Sequence, residues 1–493
     1  MNGKILAGIE TEYGLYLEGR GAEDQVDDSM ALVRKYPGEC FVHWDYRYES
    51  PRADLRGFKL ERLAFDPADA KFDEGRIRGK DHEIRSDRIL PNGARFYNDH
   101  GHPEYSTPEC WSLDELTLHD CAGQIVVLRA AEAFAEASGR EVRVYKNNTD
   151  FHGASYGTHE NYLVPRRLGF ENLFKAVLPM LVARQVLTGA GKVGSEAGPK
   201  CRYQLSQRAD FFAEPVNTET LYRRPIFNTR DEPHADPRDW IRLHVISGDA
   251  NMIPRCTARK VGLVKLALLL AVNGTAPSWR IADPVRTFQS ISRDQTGEYR
   301  IELEGRSWTT AREILESYFA ASEATLDLDD DSRWVVHNSR LLLDALDHDP
   351  AFARAQVDWA AKRGMLEHFM QEESLDWDDP SLPAFDLEYH NVDPEQSLYG
   401  ALQEMGTVEG NPPERELVPR INEVFEPTRA VARGAAVANF GDFLKAASWS
   451  SLTFEIEGKY VELELRPDAE YPQQLREIRD VGTFIETIKE RLA

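Results

Sequence analysis

Two glutamates near the start of the chain are spaced to share a cation. Glu10 and Glu12 lie two positions apart in an alternating segment, and in a strand both carboxylates leave the same face. Adjacent anions repel each other unless a cation lies beside them. Mg²⁺ with the phosphates of ATP would satisfy the pair, because magnesium binds a few carboxylates and keeps sites for phosphate and water. An exposed strand face with two solvated charges is the alternative.

A second segment carries residues with complementary chemistry. Arg95, Tyr97 and Asp99 share one face if this segment is a strand, and a turn then presents Glu104 and Thr107. Arginine suits bidentate phosphate contact, and Glu104 can ligate magnesium. Asp99 beside a cation can act as a nucleophile or a general base. The alternative is a polar hairpin followed by a helix that Thr107 caps.

Histidines and arginines in later segments extend these possibilities. His159 lies in a segment rich in hydrogen-bonding side chains, and His244 lies on an apolar strand. Each histidine is either a metal ligand or a buried structural residue. Arg208 and Arg230 have the chemistry of phosphate or carboxylate clamps, although neighbouring acidic residues could be their ion-pair partners. No segment matches a P-loop, a Rossmann fingerprint or a kinase signature.

The composition excludes several classes of protein. The chain has 59 basic and 83 acidic residues, a net charge of -24, which disfavours nonspecific binding to nucleic acid or anionic lipid. We expect no secretory leader and no membrane span. The five cysteines show no paired metal-ligand spacing. Reduced thiols and a cytoplasmic location are therefore expected.

The elements that must position these residues indicate an α+β fold with a large antiparallel sheet and helices. We predict a large domain over residues 1–425 and a small C-terminal domain over residues 426–493. Residues 50–90 read as a long surface loop, partly mobile. The acidic, proline-containing residues 372–394 read as a connector. The other main predicted elements are strands at 4–14, 94–98, 141–146, 203–206, 243–247, 451–457 and 459–465, and helices at 113–138, 169–188, 256–272, 429–445 and 471–492, with a mostly helical region at 309–373.

The ordered set of motifs resembles a known family, that of Pup ligases and depupylases, which is related to glutamine synthetase. The resemblance rests on residues 8–13 (Gly-Ile-Glu-Thr-Glu-Tyr), 99–105 (Asp-His-Gly-His-Pro-Glu-Tyr), 153–157 (Gly-Ala-Ser-Tyr-Gly) and 447–449 (Ala-Ser-Trp), and it runs from about residue 8 to 465. Residues 44–58 resemble the start of a loop that is inserted in depupylases and missing in ligases. The depupylase branch is therefore expected.

The resemblance implies a glutamine-synthetase-like fold, a curved antiparallel sheet forming a cradle that is backed by helices. It also implies ATP and Mg²⁺ as cofactors, and Pup (the prokaryotic ubiquitin-like protein) and pupylated proteins as partners. The implied activity is cleavage of the isopeptide bond between Pup and lysine, and deamidation of a C-terminal glutamine of Pup. The implied roles are Asp99 as the catalytic residue; Arg95, Thr107, Trp449 and Arg230 as nucleotide contacts; and Glu10, Tyr97, Glu104, His159 and His244 as metal-site residues, with Glu12 as a helper.

Three alternatives remain open from the sequence. A Pup–protein ligase would use the same metal residues to form the isopeptide bond with consumption of ATP. A non-catalytic protein that binds Pup or nucleotide is disfavoured by the presence of Glu10, Asp99 and Glu104. A ligase of small metabolites is the third alternative.

Overall fold

The computed structural model describes residues 4–61, 85–151 and 153–492. Within them the strands are β1 Leu6–Glu12, β2 Gly14–Leu17, β3 Arg88–Ile89, β4 Arg95–Asp99, β5 His102–Ser106, β6 Val142–Tyr145, β7 Thr158–Pro165, β8 Lys192–Val193, β9 Tyr203–Gln204, β10 Phe212–Asn217, β11 Arg224–Asn228, β12 Trp240–Gly248, β13 Arg300–Glu302, β14 Trp308–Thr310, β15 Leu444–Ala447, β16 Ser451–Ile456 and β17 Lys459–Glu464.

The helices of the described residues are α1 Gln25–Arg34, α2 Leu113–Ser138, α3 Gly169–Ala183, α4 Gln185–Thr188, α5 Pro254–Asn273, α6 Pro284–Arg293, α7 Ala311–Thr325, α8 Asp330–His348, α9 Pro350–Gln356, α10 Asp358–Glu373, α11 Leu382–Tyr389, α12 Leu398–Glu404, α13 Glu414–Asn422, α14 Arg429–Phe440 and α15 Val481–Leu492. None of them combines the length and apolarity needed to cross a membrane.

The main sheet is antiparallel, with strand order β12-β7-β1-β5-β4-β3. The predicted α+β class with a large antiparallel sheet is therefore confirmed. Because successive side chains on a strand point to opposite faces, each strand places some side chains in the core and others on the open face of the sheet. On β1, Ile9 is buried in the main hydrophobic core, whereas Glu10 lines an open cleft. The helices α3, α5 and α7 contribute to the core that backs the sheet.

Helix α2 has the bounds that the sequence predicts, because both of its ends carry strong local signals. The Ser112 side chain accepts a hydrogen bond from the Glu115 amide, which caps the first turn. Gly139 follows the last residue with φ of 67°, a left-handed conformation that stops a helix and favours glycine. The Asp120 side chain on this helix contacts Thr11 and Lys146, which fastens the helix to the sheet and to the segment after β6.

Several predicted elements differ from the structure. The connector at 372–394 contains α11, whose Asp386 is fully buried against Lys362. The predicted helix at 429–445 ends at Phe440 and is followed by β15, and the predicted helix at 471–492 begins only at Val481. Strand β7 was not predicted, although it lies between β1 and β12.

The predicted loop at 50–90 is only partly described. Residues 62–84 lie outside the described residues, so their conformation stays a prediction. Residues 86–90 do not form the expected surface loop, because Asp87 and Ile89 are buried and β3 pairs with β4. Asp54 is also buried, and its carboxylate accepts hydrogen bonds from Thr229 and Arg56.

The C-terminal part of the chain packs against an N-terminal segment. Its sheet has the order β15-β16-β17, and α14 and α15 lie in the same hydrophobic core. That core also contains Phe41, Trp44 and Ile89. Trp44 forms a β-bridge with Ala447, so the contact involves the backbone as well. The boundary between residues 425 and 426 stays a prediction.

Candidate active site

A polar cleft lies on the face of the main sheet opposite the helical core. Its empty volume is about 1190 Å³, part of which is open to solvent. Every strand from β12 to β4 contributes to it, since the outward residues of each strand point the same way. The residues from these strands are Glu10, Glu12, Arg95, Tyr97, Asp99, Glu104, Ser106, His159, Arg242 and His244.

The first group of candidate metal ligands comes from three adjacent strands. Glu10 pairs with His159 in the register of β1 and β7, and His244 lies on β12 beside them. Glu10 Oε2 is 3.5 Å from His159 Nδ1 and 3.6 Å from His244 Nε2. One ligand atom from each residue lies within 4.8 Å of the others. The structure thus brings together three of the predicted metal residues.

The electrostatic environment holds the side chains of this group in the protonation states that bind a cation. Burial alone would raise the pKa of Glu10, but the His159 and His244 rings and the Arg242 charge hold it well below its usual value. Burial lowers the pKa of His244 to about 3, so its imidazole is neutral at physiological pH. An ionised carboxylate and a neutral imidazole are the protonation states in which these side chains ligate metals.

The second group consists of Glu12, Asp99 and Glu104. Ligand atoms of these three carboxylates also lie within 4.8 Å of one another. Glu12 and Glu104 face each other across β1 and β5, while Asp99 ends β4. The Gly157 amide donates to Glu12 Oε1 at 2.9 Å. A Cβ at position 157 would lie only 2.0 Å from His159 Nε2, so a larger residue there would displace the His159 ring.

Tyr97 reaches this second group through Glu104. Its hydroxyl donates a hydrogen bond to Glu104 Oε1. Burial and the Glu104 charge raise the pKa of Tyr97 well above its usual value, so the phenol keeps its proton. Burial and the negative charges of Glu10 and Glu12 raise the pKa of Glu104 as well. The predicted role of Tyr97 as a metal ligand stays a prediction.

Asp99 lies at the mouth of the second group. Its carboxylate forms an ion pair with Arg85 and contacts His100 Nδ1 at 3.0 Å. His100 adopts a left-handed conformation with φ of 46° in the tight turn between β4 and β5. The turn follows Asp99 and leads into β5, which carries Glu104. Asp99 therefore lies at the turn end of the β4–β5 pair.

Both groups fit divalent cations by their chemistry. Carboxylate oxygens and imidazole nitrogens are ligands of Mg²⁺ and of first-row metals, with carboxylates preferred by magnesium. Neither ring nitrogen of His244 has a hydrogen-bond partner within the described parts of the chain, although the residue is only 3% exposed. Three carboxylates in the second group repel one another unless a cation neutralises them.

Arg95 is held by an acidic partner that the sequence did not indicate. Its Nη2 lies 2.7 Å from Asp87 Oδ1, and its guanidinium packs against the rings of Trp44 and Tyr97 at 4.2 and 3.9 Å. Nη1 is 3.9 Å from Glu49 Oε1. Arg95 still lines the cleft, but part of its hydrogen-bonding capacity is used within the protein.

A less polar pocket of about 510 Å³ adjoins the cleft; we call it the side pocket. It shares with the cleft the residues Glu10, Ser106, His234, Arg242 and Trp449. Thr107 lies at its base, where its Oγ1 accepts a hydrogen bond from the Ile9 amide at 3.0 Å. The pocket has the apolar lining with a few polar groups that is typical of small-molecule sites.

Trp449 is the contribution of the C-terminal part of the chain to both cavities. Its ring meets Trp44 edge to face, with the centroids 5.0 Å apart, and the Arg433 guanidinium lies 4.7 Å from its ring centre. Arg230 also lines the cleft, and its Nη2 donates to Thr220 Oγ1 at 3.0 Å. All predicted site residues therefore lie in or beside one connected cavity.

Sequence reasoning missed several basic residues of the site, among them Arg242, Arg85 and Arg224. Arg242 lies 3.4 Å from Glu10 and donates to Asn161 Oδ1 at 2.7 Å. The signal for Arg242 was available, since it lies two positions before His244 and therefore on the same strand face. Arg85 precedes β3 and reaches Asp99, and nothing in its local sequence indicated that contact.

Comparison with known protein families gives a consistent match. The family model described as Pup-ligase protein covers residues 5–453. A depupylase of Acidothermus cellulolyticus is 38% identical over 92% of this chain and 91% of the relative. A Pup deamidase/depupylase of Mycolicibacterium smegmatis is 37% identical over 92% of both chains. A Pup–protein ligase of Renibacterium salmoninarum is 37% identical but covers 78% of this chain and 84% of the ligase.

Solved structures of Pup ligases share the fold. The ligase PafA in complex with Pup has a TM-score of 0.78 and 28% identity, covering 99% of this chain and 93% of that chain. PafA in complex with ADP has a TM-score of 0.73 and 30% identity, covering 88% and 96%. The glutamine-synthetase-like α+β architecture expected from the motifs is confirmed by these matches. The family match over residues 5–453 and the similarity to depupylases over most of both chains show that this chain belongs to the Pup-ligase family.

Proposed function

We propose that this chain is an ATP- and magnesium-dependent hydrolase that removes Pup from lysines of pupylated proteins and deamidates a C-terminal glutamine of Pup. The observation that carries the proposal is the pairing of two ligand groups, Glu10 with His159 and His244 and Glu12 with Asp99 and Glu104, in one cleft. The similarity to depupylases over 92% of the chain supports the hydrolase over the ligase.

In this proposal the side pocket would hold the base and ribose of ATP, and the cleft would hold its phosphates. Trp449 and Thr107 line the side pocket and would contact the base. Arg95, Arg230 and Arg242 line the cleft and would bind the phosphates. The two ligand groups would hold magnesium, and the Tyr97 hydroxyl orients Glu104. Bound magnesium would supply Lewis-acid stabilisation of negative charge.

Asp99 is proposed as the catalytic residue. The bond to be broken joins the side-chain carbonyl of the last residue of Pup to a lysine nitrogen, or to ammonia when that residue is glutamine. The Asp99 carboxylate attacks this carbonyl carbon, or it removes a proton from a water molecule that attacks the carbonyl and passes that proton to the leaving nitrogen. In the first case the nitrogen takes a proton from solvent and leaves as the lysine amine or ammonia, and water then hydrolyses the anhydride formed between Asp99 and Pup. In both cases Asp99 is regenerated and Pup is released with a C-terminal glutamate. The ion pair with Arg85 favours the ionised carboxylate that either role requires.

The two proposed domains supply different residues of the site. Residues 1–425 supply both ligand groups and Asp99, and residues 426–493 supply Trp449. Arg429 and Arg433 of the smaller part hold Glu109 of the larger part. Nucleotide binding would therefore depend on how the two parts are held together.

Formation of the isopeptide bond is the second candidate function. It is favoured by the family model and by the two solved ligases, which share the fold and the extent of this chain. The same clusters would serve it, with ATP phosphorylating the terminal glutamate of Pup before a lysine attacks. The lower coverage of the matched ligase sequences, 78–81% of this chain against 92% for the depupylases, argues against it.

The test is incubation of the purified protein with a Pup-conjugated protein and with Pup ending in glutamine, followed by intact mass. Wild type with ATP and Mg²⁺ should release Pup and convert glutamine to glutamate, and omission of either cofactor should abolish both. D99N should retain ATP binding and lose cleavage by at least about 100-fold. D468N, which breaks an exposed pair with Arg466 outside the cleft, is the control and should cleave normally.

The stoichiometry of ADP separates the two candidate functions. A hydrolase that uses ATP as a cofactor releases free Pup without ADP in proportion to product. A ligase accumulates one ADP for each conjugate formed from Pup and target protein. Cleavage by D99N at the wild-type rate would exclude the proposed role of Asp99.

A further inference from the structure

One fully buried arginine lines the cleft without an acidic partner. Arg208 is 1% exposed, and its Nη1 donates to the Ile246 carbonyl oxygen at 2.7 Å. Its Nε has no hydrogen-bond partner in the described part of the chain. No carboxylate of the described residues lies within ion-pair distance of it, which is unusual because a buried charge is costly unless it is paired.

The surroundings of Arg208 add positive charge. Arg224 also lines the cleft and donates to the Ser155 carbonyl oxygen at 2.9 Å. Burial and the Arg224 charge lower the pKa of Arg208 to about 10, so the guanidinium remains protonated at neutral pH. Two guanidiniums therefore act on each other in this cleft, beside the acidic groups.

Two other arginines of the cleft differ from Arg208 in having an acidic partner. Arg95 pairs with Asp87, and Arg242 lies near Glu10. Arg230 has no ion pair among the described residues either, but it is only partly buried. The charges of Glu12 and Asp249 attract Arg208 from a greater distance, and Glu12 belongs to the same ligand group as Asp99.

The position of Arg208 indicates which ligand it faces. It does not border the side pocket, whereas Arg242 does. Arg224, whose charge acts on Arg208, contacts Ser155, and Ser155 and Gly157 both line the cleft. Gly157 contacts Glu12, so this wall adjoins the group that contains Asp99. An anion bound here would lie beside the reacting carbonyl and away from the base of the nucleotide.

We infer that Arg208 binds the α-carboxylate of the C-terminal residue of Pup. This inference rests on the proposed function, in which the last residue of Pup is linked through its side chain and its α-carboxylate is free. A guanidinium can hold a carboxylate with two parallel hydrogen bonds. Binding of the α-carboxylate would fix the last residue and direct its side-chain carbonyl toward Asp99. Arg208 is thus a specificity-determining residue that selects a free C-terminus.

The experiment compares two forms of Pup ending in glutamine, one with a free α-carboxylate and one with an α-carboxamide. Wild-type full-length protein with MgATP should deamidate the free acid with a kcat/KM about 10- to 100-fold higher, the usual loss when a charged group loses its hydrogen-bonded partner. R208Q should process both forms at a similar low rate, and R208K should recover part of the preference.

R259Q is the matched control. Arg259 is also fully buried, lacks an acidic partner among the described residues and lies outside the cleft, where Nη1 donates to the Gln356 carbonyl oxygen. Its variant should keep the wild-type preference even if it is less stable. Nucleotide affinity, measured by fluorescence with an ATP analogue, should be unchanged in R208Q.

Two results would overturn the inference while leaving the proposed function intact: equal deamidation of both forms by wild type, or an unchanged preference in R208Q. The comparison on wild type remains decisive if R208Q does not fold. Fluorescence anisotropy of labelled Pup measures binding without the reaction, so it tests the carboxylate site independently of the hydrolase proposal. If wild type binds the free acid more tightly than the carboxamide but cleaves neither, the hydrolase proposal fails and the carboxylate site stands.

Discussion

Glu109 joins the two parts of the chain through a buried ion-pair cluster, and its neutralisation gives a quantitative prediction. Arg429 Nε donates to Glu109 Oε1, and Arg433 Nη2 donates to Oε2, each at 2.6 Å. Arg433 is fully buried and also donates to the carbonyl oxygens of Gly93 and Trp449. E109Q keeps the size of the side chain but leaves two arginines of α14 without their carboxylate.

The size of the stabilisation by Glu109 follows from the shift in the pKa of its carboxyl group. Burial opposes ionisation, but Arg433 and Arg429 lower the pKa of Glu109 from about 4.5 to about 2. At about 1.4 kcal/mol per pH unit, this difference corresponds to about 3 kcal/mol of folded-state stabilisation. The same figure is expected from breaking a buried ion pair, which typically costs about 3–5 kcal/mol.

The assay is native-state hydrogen exchange of the amides of α14, because local opening is measured there without assuming two-state unfolding of the whole chain. E109Q should lower protection of these amides by roughly 100-fold at pH 7. E486Q, which breaks the exposed pair with Lys489, is the control and should change protection little.

The sign of the pH dependence is fixed by the lowered pKa. Stabilisation by Glu109 is complete above about pH 4.5 and is lost as the pH falls through about 2. The difference between wild type and E109Q should therefore be constant from pH 7 to about 4.5 and shrink below it. Unchanged protection of α14 in E109Q at pH 7 would refute the assignment of net stabilisation to this cluster.

Two further predictions concern acid stability and nucleotide binding. Burial, followed by the Arg420 charge, lowers the pKa of His119 to about 3, so the unfolded chain takes up a proton below about pH 6.5 that the folded chain does not. Wild type should lose about 2 kcal/mol from this group between pH 7 and 5, and the thermal midpoint of H119Q should fall less steeply over that range. W449A should raise the Kd for an ATP analogue roughly 10-fold, through loss of an aromatic contact, with far-UV circular dichroism unchanged; equal affinity would place the base elsewhere.

The parts of the site that lie on regular strands were predictable from the sequence. The period of two in a strand put Glu10 and Glu12 on one face, and the same rule put Arg95, Tyr97 and Asp99 together. The structure bears out both groupings, and it separates the two glutamates into different ligand groups. That separation depends on which residues of β5 and β7 lie opposite them, and pairing between strands is not visible in a single sequence.

Strand β7 and the buried part of the predicted connector were not predicted, because long-range contacts that a single sequence does not show determine their structure. β7 carries polar side chains on both faces, since Glu160 points into the core and pairs there with Arg184 at 2.6 Å. The alternation that identifies a half-buried strand is therefore absent. Asp386 and His390 look like parts of an acidic connector, but both are buried and contact Lys362, a residue of α10.

The shared core of the chain's two ends bears on the order in which the protein is made. Phe41, Trp44 and Ile89 complete the packing of α14, α15 and the sheet of β15 to β17. Translation produces these three side chains well before their partners. Until those partners are synthesised, Phe41 and Trp44 lack the core that buries them. A chaperone that shields these side chains during synthesis would raise the yield of folded protein.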